Sequence, residues 1–180
     1  MTAYVGSRVV GGDKDAWSTP AWLVEWVRGE LGWEQFDFDP CAAPDTTKAS
    51  EFLSEQTGDG LSMTWRGPNV WCNPPYSQGG RWLAKASQES QENGLRIAAL
   101  VLPSFDAAYW RPTVWDCAAE LWLLEGRIQF ERNGRPVIGS MNKSCLVVYD
   151  RARARTAQDG PVVRFLRPPY PPRLPRYLCR

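Results

Sequence analysis

Hydrophobic positions along this chain change period several times, and the changes divide it into elements. Trp22, Leu23, Trp26, Val27 and Leu31 recur at three- and four-residue intervals and stop at Gly32, which predicts an amphipathic helix over about 20–31. Thr19 reads as its N-cap and Pro20 as its first helical residue. Phe36 to Asp39 alternates apolar and acidic residues and runs into Pro40, the pattern of a strand with carboxylates at its C-terminal end. Residues 43–68 hold few hydrophobics and many turn formers, so a loop is expected there, with one short element near 49–53.

The later segments are more regular. A buried strand is expected at 69–73, a helix at about 79–92 with Trp82, Leu83 and Ala86 facing inward, and a strand covered on both faces at 97–103. Helical pieces broken at Pro112 follow over about 106–118, then strands at 121–124, 127–130 and 145–149. Between the last two strands Asn133-Gly134 signals a hairpin turn. Strands alternating with helices predict an α/β fold with a mainly parallel sheet and a late antiparallel hairpin. Residues 1–16 read as a loose lead-in, 17–150 as a single domain, and 151–180 as an extended Pro/Arg-rich tail.

Composition narrows the chemistry. No histidine occurs among 180 residues, which excludes Ser-His-Asp and Cys-His catalysis, imidazole metal sites and imidazole proton shuttles. The five cysteines form no C-x-x-C pair, so neither a zinc site nor a disulfide framework is expected, and no metal is called for. No apolar run approaches a membrane span, and the N-terminus carries no leader pattern, so a soluble cytoplasmic protein is expected. Net charge is +1, yet residues 151–180 carry eight arginines against the single Asp159. That tail is either a phosphate-binding arm or a solvated terminus.

Asn73-Pro74-Pro75-Tyr76 carries the clearest chemistry. Two prolines fix the backbone and remove two donors, leaving the Asn73 side-chain oxygen and the carbonyls of Asn73 and Pro74 as acceptors beside the Tyr76 ring. A planar amine fits such a cluster, its hydrogens shared between acceptors and its ring stacked on the phenol. The tetrapeptide also reads as a plain turn after a strand.

In order along the chain, Trp17-Ser18-Thr19-Pro20, Asp37-Phe38-Asp39-Pro40-Cys41-Ala42 and Asn73-Pro74-Pro75-Tyr76 resemble the phage-type DNA N-6-adenine methyltransferases, the Dam-like family. The likeness runs from about Trp17 to Tyr149 and includes Asp59-Gly60-Leu61, Trp65, Trp82, Pro103, Gly126-Arg127-Ile128 and Gly139-Ser140. It implies a compact, Rossmann-like class I methyltransferase that uses S-adenosylmethionine and methylates the N6 amine of adenine in DNA. Carried onto this chain, the resemblance assigns Asn73, Pro74, Pro75 and Tyr76 to catalysis, and Trp17, Ser18, Thr19, Pro20, Asp37, Asp39, Pro40, Cys41, Asp59 and Asn73 to the cofactor. Where many methyltransferases have a glycine-rich loop after the first strand, this chain has Asp-Pro-Cys-Ala-Ala-Pro, a replacement the Dam-like phage enzymes share.

DNA contacts are expected from Arg127, Arg132 and Arg135 of the polar hairpin and from Lys143. DNA is then the partner, in a bacterial host cytoplasm if the chain is phage-encoded, and a monomer is the favoured state. Two other readings keep the motif: methylation of a glutamine side-chain amide in a protein, or a nucleic-acid binder that has the fold without turnover.

Overall fold

The computed structural model describes residues 18–42, 47–54, 56–132, 135–153 and 158–171, with only the backbone of 135–142. Trp17, the Asn133-Gly134 turn and the arginines beyond Pro171 lie outside the described residues, as does the expected lead-in.

Helix α1 spans Ala21–Leu31 and ends at Gly32, whose φ of 68° lets its N–H reach the carbonyls of Arg28 and Gly29. The expected cap at Thr19 does not form. Pro20 is the capping residue, with ψ of 139° and no side-chain cap bond, and its carbonyl accepts from Leu23 and Val24. Thr19 is turned into the protein instead, 2% exposed.

Strands β1 (Phe38–Asp39), β2 (Glu51–Phe52) and β3 (Asn69–Cys72) come next, then helix α2 (Gly79–Asn93) and strand β4 (Arg96–Val101). Helical structure in the next stretch is a single π-type turn, Arg111–Trp115. Pro112 opens it rather than breaking it, because the N–H of a first-turn residue has no acceptor within the helix and its loss costs no bond. Strands β5 (Glu120–Leu124), β6 (Ile128–Arg132), β7 (Arg135–Asn142), β8 (Cys145–Tyr149) and β9 (Val162–Leu166) complete the fold.

Seven strands form one sheet in the order β2-β1-β3-β4-β8-β5-β9. Within it β8 runs antiparallel to both neighbours, β4 and β5, and every other pairing is parallel. The C-terminal ends of β1, β3, β4, β5 and β9 therefore share one rim with the start of β8. Strands β6 and β7 pair separately as the late hairpin, with Arg132 opposite Arg135 across a two-residue gap, as the Asn-Gly signal requires.

Burial explains why the central strands read as continuous apolar runs. In β4, Ile97, Ala99 and Val101 pack on the α2 side with Trp82, Leu83 and Ala86, whereas Ala98 and Leu100 pack on the α1 side with Leu23 and Val27. In β8, Cys145, Val147 and Tyr149 alternate in the same way with Leu146 and Val148. Each fully buried Leu, Val or Ile side chain contributes about 1.5–3 kcal/mol, so the two-sided centre supplies most of the driving force.

Strand β9 lies inside the stretch expected as tail. Val162 to Leu166, bounded by Pro161 and Pro168, pairs with β5 along its whole length. It forms the outer strand, the one place where flanking prolines cost no ladder bond.

Candidate active site

A change of chain direction creates the site. From β1 the chain moves outward to β2, then returns to β3 on the other flank of β1, so the strand order reverses between β1 and β3, which is where a sheet of this kind has its crevice, at the C-terminal ends. Open α/β sheets bind their ligands at such a point. Both motif stretches empty into it: Asp39 is the last residue of β1, and Asn73 follows the last residue of β3.

Their contact is direct. Cys41 Sγ lies 3.8 Å from Cys72 Sγ, joining Asp-Pro-Cys to Cys-Asn-Pro-Pro-Tyr. Burial raises the Cys41 thiol well above its ordinary pKa, with Cys72 and Asp39 adding to the shift and the Asn73 N–H opposing it. Cys41 is therefore a neutral thiol packed against the Cys72 sulfur.

Asp39 is 4% exposed, and its Oδ1 accepts the Cys41 N–H at 3.2 Å. Burial pushes its pKa up to about 7, against the opposing N–H groups of Cys41 and Lys48 and the Lys48 charge. A carboxyl in this condition gains from any cation brought beside it. Pro40 is held by Gly60, where a Cβ would run into the Pro40 carbonyl oxygen and lie 2.9 Å from Trp82. Only glycine permits that approach, and it brings exposed Asp59 to the end of β1. Asp59 Oδ1 accepts the Leu61 N–H at 2.9 Å, while Trp65 Nε1 donates to the Gly60 carbonyl at 2.7 Å.

Asn73 is half-buried and Pro74 buried. Pro75 turns the chain into a 3-10 turn, Tyr76–Gln78, whose Gln78 N–H closes on the Pro75 carbonyl at 3.0 Å and leads into α2. The Tyr76 ring is half-buried and meets Phe130 of β6 edge-on, centroids 5.9 Å apart at 80°. Burial raises the phenol pKa although the Ser144 hydroxyl acts in the other direction, so the ring stays neutral.

Ser18 docks the hairpin onto the start of α1, exchanging backbone bonds of 2.8 and 2.9 Å with Glu131. Beside it the Thr19 hydroxyl is buried with no hydrogen-bond partner among the described residues. Ser18, Thr19 and Pro20 thus reach Tyr76 through Glu131 and Phe130 of one strand.

Asp37 is not brought to this group. Its Oδ2 accepts the Asn69 N–H at 2.9 Å and its Oδ1 accepts from Gln35 Nε2 at 2.7 Å, so it braces the start of β3. Arg127 and Lys143 are exposed and flank the first hairpin pair, Ile128 with Asn142, on the site's rim. Arg132 is half-buried near the hairpin tip, opposite the backbone of Arg135. Phe130, Ser144, Lys48 and Gly60 are the additional residues of the site. The first two meet Tyr76 from more than fifty residues away and leave no local signal, whereas Gly60 announces itself in Gly-Asp-Gly.

Among the described residues no three His, Cys, Asp or Glu side chains gather as metal ligands, and no helix is long and apolar enough to cross a membrane.

Comparison with known proteins bears on the family. Residues 6–160 match the family described as DNA N-6-adenine-methyltransferase (Dam). The DNA N-6-adenine-methyltransferase of Escherichia phage T1 is 27% identical over 141 residues, 73% of this chain and 57% of that protein. That of Haemophilus phage HP1 (strain HP1c1) is 26% identical over 121 residues, 67% of this chain and 69% of its own length. This chain spans little more than half of the T1 protein. With the match covering most of its length, the chain belongs to the DNA N-6-adenine-methyltransferase (Dam) family.

Proposed function

We propose that this chain methylates the N6 amine of adenine in DNA, using S-adenosylmethionine in a Rossmann-like class I methyltransferase fold. The observation that carries the reading is the meeting of Asp39 and Asn73 at the switch between β1 and β3, locked by the Cys41 and Cys72 contact. The sheet, parallel except for β8, supports the fold assignment.

The residues suit the cofactor. Asp39 is a buried carboxyl whose pKa stays raised despite the Lys48 charge, and the Thr19 hydroxyl is buried with no partner among the described residues. When bound, S-adenosylmethionine supplies an electrophilic methyl on a cationic sulfur. Asp39 offers a carboxylate to the cofactor's positive groups, Thr19 a hydroxyl, and Asp59 an acceptor at the crevice mouth. Pro40 and Cys41 shape the floor. Asp37 has no part in this, since its carboxylate is committed to Asn69 and Gln35.

The target adenine is flipped out of the duplex into the crevice. Asn73 and the Pro74 carbonyl accept its two amine hydrogens, directing the nitrogen lone pair out of the ring plane, while Tyr76 stacks on the base. The nitrogen becomes acidic only as its new bond forms, so proton loss needs no strong base and the absence of histidine is no obstacle. Orientation and fixed acceptors do the work. Arg127, Lys143 and the hairpin face the DNA, and the reaction belongs in the host cytoplasm.

Incubation with methyl-labelled S-adenosylmethionine and either duplex DNA or a bacterial lysate tests the reading. Label should enter DNA as N6-methyladenine, and methylation-sensitive nucleases then map the target. Label in protein would favour the glutamine amide, and no transfer would favour a non-catalytic binder. Asn73→Ala should lower the rate about a hundredfold or more and leave cofactor affinity within a few-fold.

A further inference from the structure

One large apolar ring on the site's rim is solvent-exposed without serving the core. Beyond β4 the chain runs through Pro103 and Ser104 to Phe105, which is 59% exposed. The ring is presented firmly, because buried Trp110 meets it edge-on with centroids 5.2 Å apart at 89°. Its loop is also fixed: the Ala107 N–H bonds the Ser104 carbonyl at 3.0 Å, and the Trp110 N–H bonds the Ala107 carbonyl at 2.9 Å. Tyr109 packs on Gly80 so closely that a Cβ there would lie 2.7 Å from the ring. Gly80 belongs to the first turn of α2, directly after Tyr76–Gln78. Phe105 is thereby tied to the turn that starts at Tyr76, in the loop that leaves the parallel strand next to β3.

Charge says what the loop does not touch. Residues 102–110 contain no lysine or arginine, and their single ionisable acid is Asp106. Such a segment offers phosphates no cation of its own before Arg111, so an exposed aromatic on it fits base surfaces rather than the sugar-phosphate backbone. Phe165 is more exposed, at 82%, but it lies on the outer strand β9, three strands from β4.

Resting on the DNA-methylating reading above, we propose that Phe105 enters the duplex beside the target adenine and stacks in the space the extruded base leaves. Flipping breaks stacking on both sides of the base, and an inserted ring restores part of it. Phe105 is then a DNA-contacting residue that serves extrusion, separate from the groups that hold the adenine once it is out.

The test compares Phe105→Ala and Phe105→Trp with the unaltered protein on duplex oligonucleotides carrying the mapped target site. In one duplex the adenine is paired with thymine; in the other it faces an abasic position and needs no unpairing. Phe105→Ala should lose about tenfold or more in kcat/KM on the paired duplex and stay within about twofold on the abasic one. Phe105→Trp should recover the paired activity, and both variants should keep the parent's melting temperature and cofactor affinity. Equal loss on the two duplexes, or no loss on the paired one, would overturn the assignment. If the unaltered protein methylates no DNA at all, the functional reading fails and this role falls with it.

Discussion

Asp37 and Asp39 are two residues apart on the same strand end, yet they live in opposite circumstances. Asp37 is half-exposed, and both of its oxygens are satisfied by Gln35 and Asn69. Asp39 is buried, accepts the Cys41 N–H at 3.2 Å, and keeps a pKa raised to about 7 even against the N–H and charge of Lys48. Glu120 resembles the first rather than the second: although buried, it pairs with Arg153, lies 3.5 Å from Arg164, and accepts from Trp122 Nε1 at 2.7 Å. Carboxylates matched by donors hold strands together. A carboxyl whose pKa stays raised despite a nearby lysine has room to gain from a further positive group.

Asp39→Asn offers the largest break in that contrast. It should weaken cofactor binding about hundredfold by titration calorimetry, the scale of a lost charge-assisted bond in a buried site. Its pH signature has a definite sign. Because the folded pKa, about 7, exceeds the ordinary 3.8, the folded state holds the extra proton between those values. Stability from this group therefore falls as pH rises through that window and levels off above it. Affinity for the cationic cofactor moves oppositely, strengthening as pH rises toward and past 7. Both dependences should flatten in the Asn variant, and melting curves with titrations at pH 5.5 and 8 would show it.

Glu120→Ala should have an intermediate effect confined to the fold. It strands Trp122 Nε1 and leaves two arginines without their acid, which costs about 2 kcal/mol because both guanidiniums still reach water. Denaturant unfolding measures this, and cofactor affinity should not move. Asp37→Asn should be the mildest. An amide oxygen still accepts from Asn69, so stability should change by less than about 1 kcal/mol and cofactor affinity by less than about twofold. A large loss of affinity there would erase the distinction between the two aspartates.

That distinction could not be read from the sequence, because a period of two treats residues 37 and 39 alike. Only the register with Asn69, thirty-two residues on, separates them. Elements whose own side chains decide their fate were legible: α1 and α2 from their stripes, β3, β4 and β8 from uninterrupted apolar runs, and the hairpin from Asn-Gly. Strand β9 was obscured by flanking prolines and arginines, and its place depends on β5 offering an open edge. Thr19 has the composition of a cap, but tertiary packing turns it inward and leaves the helix start to Pro20. The arginines of the basic segment divide similarly. Arg151 donates to the Gln91 carbonyl at 3.0 Å, Arg153 and Arg164 serve Glu120, and Arg164 also lies 5.0 Å over the Trp122 ring.

The hairpin leaves the sheet after Leu124 of β5 and rejoins it at Cys145 of β8, and these two strands are immediate neighbours. Its entry and exit points therefore stand side by side on the frame, and Ile128 and Phe130 anchor it there by burying their side chains in the α1-side core. An insertion, a deletion or a wholesale exchange between Ile128 and Asn142 would leave every ladder of the seven strands in register. An exchange that kept Phe130 and Glu131 would also preserve the contacts to Tyr76 and Ser18, so the segment could vary elsewhere while these two contacts stay fixed.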